Sequence, residues 1–173
     1  MWQEYVEPKY RELAPQLVLD DNKIERMVIG GKVMNPGPFA LGGFGVPGGM
    51  HDPVASRTTT WEKAHPGGWD IGVRLKDMDQ EGIDHSVIYT SVGLFLGGDG
   101  DPLLTGALCR AYNNWISDFC KQAPGRLSAL AIVPLMDIEA SVAEVRRAVE
   151  QLGLKGVMIR PNSYRGRMLH DPA

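Results

Sequence analysis

The chain has 173 residues and a formal net charge of −3, enough for one ordinary domain and without the basic excess that marks a nucleic-acid binder. Leu, Ile, Val and Met are frequent enough to build a core, which excludes a disordered chain. No run of about 18 apolar residues is present, which excludes a membrane-spanning helix.

The first ten residues, "MWQEYVEPKY", carry charges where a signal peptide would carry its apolar stretch, so the expected location is the cytoplasm. Residues 1–70 read as an irregular region rich in Gly and Pro. Within it, Arg26–Met34 holds two short apolar runs joined by Gly30-Gly31, a good two-residue hairpin turn. Two long loops follow, "NPGPFALGGFGVPGGMHDP" and "SRTTTWEKAHPGGWD", of the kind that often serves as a lid or binding segment.

Residues 71–173 read as regular structure. Ile71, Leu75 and Met78 share a helical face, with Gly82 as the stop. His85–Gly93 reads as a strand rich in β-branched residues. Asp101 is placed to cap a helix with Pro102 at its first position, and the stripe is Leu104, Leu108, Ala111, Trp115 and Phe119. Pro124-Gly125 ends it. Leu127–Leu135 reads as a second strand. Asp137 then caps a helix with the stripe Ile138, Val142, Val145, Val149 and Leu152, closed by Gly153. Gly156–Ile159 reads as a third strand. Strands apolar on both faces, alternating with helices, predict a parallel sheet with right-handed crossovers. The fold class is α/β, and two architectures fit: an open doubly wound sheet, or about three β/α units of a (β/α)8 barrel.

Several motifs fall away on their context. Gly43–Gly48 matches G-x-G-x-x-G, but it lies in a loop, Pro47 removes one donor and no helix follows. No Walker-type phosphate loop or G-x-S-x-G elbow is present. His51, His65, His85 and His170 form no close pair of the H-x-H or H-x-x-x-H type, so the sequence presents no metal site of its own. Asp99-Gly100-Asp101 reads as a turn and helix cap rather than a calcium loop. Cys109 and Cys120 lie eleven residues apart on one predicted helix, roughly 16 Å, too far for a disulfide. Reduced cysteines fit the cytoplasm.

Arg160 and Asn162 carry the most functional information. On a strand, Met158, Arg160 and Asn162 share one face while Val157 and Ile159 take the other. If the β-branched face packs on helices, Arg160 sits at the C-terminal tip of the opposite face. A charge there is costly unless it meets a partner or substrate, and barrels of this type gather their chemistry at that end. Tyr89 and Ser91 end the first strand in the same way and are further substrate-binding candidates.

The stretch "LKDMDQEGIDHSVIYTSVGL" (Leu75–Leu94) resembles the surroundings of the second barrel strand of amidohydrolase-related proteins, the branch that includes aminocarboxymuconate-semialdehyde decarboxylase. "CRAYNNWISDFCKQAPGRLSALAIVPLMDIEASVAEVRRAV" is similar to the helix, strand and helix that follow there. "LKGVMIRPNSYRGRMLHDP" is similar to the next strand and loop, and "WQEYVEPKYRELAP" to a segment shortly after the first strand. The resemblance implies a distorted (β/α)8 barrel holding a divalent metal, most often zinc, bound by histidines and an aspartate. No position of this chain matches those ligands. The expectation is therefore a fragment of a metal-dependent hydrolase or carboxy-lyase acting on a small carboxylated substrate. It would be inactive alone, with no metal in this chain by itself. Arg160 would hold the carboxylate and Asn162 would orient an oxygen. Three strands cannot close a barrel that needs about eight, so exposed strand edges would favour a homo-oligomer. The competing reading is a non-catalytic open α/β module that self-associates or binds a partner. A nucleotide-binding domain is the weakest alternative.

Overall fold

The computed structural model describes residues 1–34, 40–46, 51–52, 54–91, 93, 96, 101–159, 163, 166, 168 and 170–172. In chain order the main elements are α1 (Trp2–Tyr5), β1 (Gln16–Leu19), β2 (Glu25–Ile29), β3 (Lys32–Val33), α2 (Ala55–Thr58) and α3 (Ile71–Gln80). They continue with β4 (Ser86–Ile88), α4 (Pro102–Lys121), β5 (Leu127–Ala129) and α5 (Ile138–Arg146). The chain is α/β with open sheets and divides into two compact units. One is Leu13–Ile83; the other joins Met1–Glu12 to Asp84–Ala173. No helix among the described residues is long and apolar enough to cross a membrane.

In the unit Leu13–Ile83, β1, β2 and β3 form an antiparallel sheet in that order, with Leu17 opposite Met27 and Val28 opposite Val33. Gly30 and Gly31 turn β2 into β3 with φ of 56° and 77°. Two consecutive positive φ angles suit a tight hairpin and strain any residue with a Cβ. The strand β2 is the buried one. Its Arg26 meets Asp20, with Nε and a terminal guanidinium nitrogen each 2.8 Å from Oδ2. Asp20 also accepts the Asn22 and Ile24 N–H groups, each at 2.9 Å. The Ile24 amide first, and then the Arg26 guanidinium, hold its carboxyl below the usual range. Glu25, also buried, accepts the Trp61 N–H at 2.8 and 3.0 Å and so ties β2 to the segment after α2. A Cβ on Gly42 would lie 2.3 Å from the Thr59 carbonyl oxygen, so the two backbones touch only because this residue has none. Asp70 caps α3 by accepting the Val73 N–H at 3.0 Å, and Arg74 Nε donates to the Gly67 carbonyl at 2.7 Å.

In the other unit, β4 and β5 pair in parallel, with Ser86 beside Leu127 and Ile88 beside Ala129. The Leu130 N–H donates to the Ile88 carbonyl at 3.1 Å, and Ala131 bridges in parallel to Val157. Lys155 and Met158 add N–H bonds to the Ala129 and Ala131 carbonyls at 3.0 and 2.8 Å. The formal strands are shorter than the apolar runs His85–Gly93, Leu127–Leu135 and Gly156–Ile159 predict. A strand extends only as far as a neighbour offers partners, and β4 has one neighbour among the described residues.

Asp101 caps α4 through the Leu103 N–H at 2.9 Å, with Pro102 at the first position. Leu104, Leu108, Ala111 and Phe119 are buried along with Leu127, Ala129 and Ala131 of the sheet, and half-buried Trp115 stacks on Phe119 at 5.7 Å. Asp137 caps α5 through the Ala140 N–H at 2.9 Å. Here the stripe expected to face the core does not do so. Ile138, Val142 and Val149 are exposed, while Ser141, Glu144 and Ala148 are buried. A polar network sets this rotation. Asn113 of α4 donates to Glu144 Oε1 at 2.6 Å, and Arg147 donates to both Glu144 oxygens at 2.7 and 2.8 Å and to Asn114 Oδ1 at 2.8 Å. A wide π turn, Arg147–Gln151, follows α5.

The first residues dock on α4: the Tyr5 hydroxyl donates to Asp118 Oδ2 at 3.3 Å, and Arg110 pairs with Glu7. The hydrogen bond from Arg110 is the main cause holding the Glu7 carboxyl below its ordinary 4.5. A carboxyl lowered in the folded state contributes stability above its unfolded pKa and loses it as pH falls through the folded value. We therefore expect the amide protection factors of Tyr5 and Val6 to drop as pH is lowered from 6 to below 4. Unchanged protection in hydrogen exchange, or the same drop in Glu7→Gln, contradicts this.

Candidate functional site at the ends of the parallel strands

Neighbouring residues in a parallel pair point to the same side, so Val87 shares a face with Ser128, and alternation places Tyr89 with Leu130. Burial follows that alternation. Thr90 is buried on the helix side with Ala129 and Ala131, whereas Tyr89 is 62 % exposed and Ser91 is exposed. Met158, next to the bridged Val157, falls on the face of Tyr89 and Leu130 and is half-buried. Just beyond the C-terminal end of β4, a phenol and a hydroxyl are exposed. Arg160 and Asn162 lie outside the described residues.

The turn after β4 is tight. The Thr90 hydroxyl accepts the Gly93 N–H at 2.9 Å, and a Cβ on Gly93 would lie 2.3 Å from that oxygen. The buried Tyr112 hydroxyl has no hydrogen-bond partner among the described residues. Burial pushes its pKa up to about 12, which the nearby Thr90 side chain only partly offsets. Burial, and then the Glu144 carboxylate, push the Cys109 thiol up to about 12. A thiol that stays protonated near neutrality is a core residue rather than a nucleophile. Cys109 and Cys120 are both free.

The histidines lie elsewhere. At the N-terminal end of β4, His85 sits 2.9 Å from the Gly125 carbonyl through Nδ1 and 3.1 Å from Ser128 Oγ through Nε2. A carbonyl only accepts, so Nδ1 carries the proton and Nε2 takes the serine hydroxyl. His65 Nδ1 accepts the Gly67 N–H at 3.2 Å and lies 3.5 Å from Asp77. No group of three or more His, Cys, Asp or Glu among the described residues could hold a metal ion. The described residues therefore do not fit one.

The residues that sequence reasoning passed over are Asn113, Glu144 and Arg147. Their trace is slight: a pair of asparagines in the middle of an apolar helix, and one glutamate between valines. Asn113 also accepts the Ile132 N–H and donates to the Ile132 carbonyl, both at 2.9 Å, at the point where strand pairing stops. It anchors the chain beyond β5, next to the Ala131–Val157 bridge.

The Amidohydrolase family model matches residues 39–172. This chain belongs to the amidohydrolase family. It is 30 % identical over 105 residues to a 2-amino-3-carboxymuconate-6-semialdehyde decarboxylase from Dictyostelium discoideum, covering 61 % of this chain and 29 % of that protein. It is 28 % identical over 120 residues to a gamma-resorcylate decarboxylase from Rhodococcus jostii (strain RHA1), covering 67 % of this chain and 36 % of that one. The matched residues thus span about a third of these relatives. Among solved structures, an amidohydrolase from Mycobacterium avium subsp. paratuberculosis K-10 is similar in fold. Its TM-score is 0.66 at 24 % identity, over 94 % of this chain and 46 % of that one.

Proposed function

We propose that these residues form about three β/α units of a distorted (β/α)8 barrel from a metal-dependent hydrolase or carboxy-lyase, and that the reaction is decarboxylation of a small carboxylated substrate. The observation that carries the reading is the parallel row β4, β5 and the Val157 bridge, with α4 and α5 as crossovers, ending at exposed Tyr89 and Ser91. Barrels of this class place their chemistry at that end. The decarboxylase names of the two relatives support the carboxylated substrate.

In this reading Arg160 takes the substrate carboxylate in a forked ion pair, Asn162 orients a substrate oxygen, and Tyr89 and Ser91 are further substrate-binding groups. The divalent metal, zinc, stays an implication of the family resemblance, and no step is routed through it. This stretch by itself is inactive, resides in the cytoplasm, and self-associates through unpaired strand edges; the parent enzyme takes a small molecule rather than nucleic acid or membrane.

Titrating the isotope-labelled chain with gamma-resorcylate tests the reading by nuclear magnetic resonance. The amides of Tyr89 and Ser91 are expected to shift, Arg160→Ala to weaken the shifts about tenfold or more, and no carbon dioxide to be released. Silent Tyr89 and Ser91 amides, or an Arg160→Ala variant that binds as well, overturn the site. Carbon dioxide release by the chain with added zinc overturns the claim that it is inactive alone.

A further inference from the structure

We propose that Thr90 and Gly93 form a latch that fixes the backbone presenting Tyr89 and Ser91, which makes the pair positioning residues of the candidate site. Ladder pairing on β4 ends where the Ile88 carbonyl accepts the Leu130 N–H at 3.1 Å. Tyr89, Thr90 and Ser91 lie beyond that point, where side-chain contacts take over from the ladder. Thr90 is buried, and its hydroxyl accepts the Gly93 N–H at 2.9 Å. The Gly93 carbonyl in turn accepts the Leu96 N–H at 3.1 Å. Thr90 stands between Tyr89 and Ser91 in the chain, so what fixes Thr90 fixes the backbone from which both side chains leave.

The latch closes because position 93 has no side chain. A Cβ there would lie 2.3 Å from Thr90 Oγ1, 3.0 Å from Thr90 Cγ2 and 3.1 Å from Ile132 Cδ1. The first contact is far inside van der Waals separation, and Thr90 cannot swing its hydroxyl away without giving up the Gly93 N–H. Ile132 is the wall behind. It is buried, and Asn113 of α4 grips both its N–H and its carbonyl at 2.9 Å, so only the tip of its side chain can yield. Asn113 therefore places Ile132, Ile132 and Thr90 confine Gly93, and the turn at Gly93 places Tyr89 and Ser91. These contacts are buried within the unit that contains Asp84–Ala173, and they hold whatever lies over its surface. The consequence for substrate binding rests on the carboxy-lyase reading; the consequence for the backbone does not.

Nuclear magnetic resonance and amide hydrogen exchange of the isotope-labelled full chain test the latch without ligand. Thr90→Val keeps the shape and removes the acceptor, so protection of the Gly93 amide is expected to fall about tenfold or more, whereas Thr90→Ser should preserve it. Gly93→Ala is expected to shift the Tyr89 amide. In a Thr90→Ala background, which removes both threonine atoms near the added methyl, the same change should leave the Tyr89 amide in place. A Gly93→Ala chain that folds only together with Thr90→Ala, read by circular dichroism, supports the same clash. Equal Gly93 protection in Thr90→Val overturns the proposal. So does a Tyr89 amide that Gly93→Ala leaves unmoved, or moves equally with and without Thr90. Titration with gamma-resorcylate then extends the test to the site. Thr90→Val should bind about tenfold more weakly than wild type and Thr90→Ser about as well, and equal binding by Thr90→Val overturns the positioning role. A wild type that binds no gamma-resorcylate strikes the decarboxylation reading alone, because the ligand-free spectra decide the latch.

Discussion

Replacing Asn113 with leucine is expected to destabilise the unit containing α4 and β5 by about 3–5 kcal/mol, although the two side chains are close in volume. Asn113 is 0 % exposed and makes three hydrogen bonds. Two go to the N–H and carbonyl of Ile132, one residue beyond the last bridged position of its strand. There the asparagine amide does what a neighbouring strand would do. Leucine leaves both backbone groups buried without those partners, at about 1–3 kcal/mol each, and takes one donor from a buried carboxylate. Glu144 keeps Arg147, which limits the loss to that range. Asn114→Leu is the control, since half-buried Asn114 contributes one acceptor to Arg147 and should cost about 1 kcal/mol. Urea unfolding followed by circular dichroism separates the two. A cost below about 1 kcal/mol for Asn113→Leu would mean that the network ornaments this unit rather than orients it.

Leu108→Ala is expected to cost about 2–5 kcal/mol. Leu108 is 1 % exposed in the centre of α4, in a core with Ile116 and the alanines of β5 and its extension. The lost methyl groups carry their transfer free energy, and the close-packed surroundings refill the space only in part. In the monomer, Val142→Ala on α5 should lie within about 0.5 kcal/mol of wild type, because half of that side chain is already in water. Thermal unfolding at low protein concentration reads both. Equal costs at the two positions would contradict the burial difference between the helices.

That contrast marks the limit of pattern reading. Both helices show an apolar stripe of helical period, and the stripe of α4 faces the core whereas that of α5 does not. A stripe states which residues share a face; what covers that face depends on elements elsewhere in the chain. In α5 the competing pull is polar. Burying Glu144 against Asn113 and Arg147 turns the valines outward, and nothing local in "IEASVAEVRR" announces that a helix 31 residues earlier supplies the partner for its glutamate.

By itself the sequence determined what is settled within a few residues: the caps at Asp101 and Asp137, the glycine turns, the alternation of helix and strand, and the stretches by which the chain is recognised as an amidohydrolase. Each rests on backbone groups and side chains that meet their partners within one turn. Only the tertiary structure decided how far each strand runs, which face of α5 is buried, that the first twelve residues belong with 84–173, and that Tyr89 and Ser91 are exposed beyond the end of β4. Those outcomes depend on hydrogen bonds and packing between segments far apart in the chain, whose partners no local pattern names.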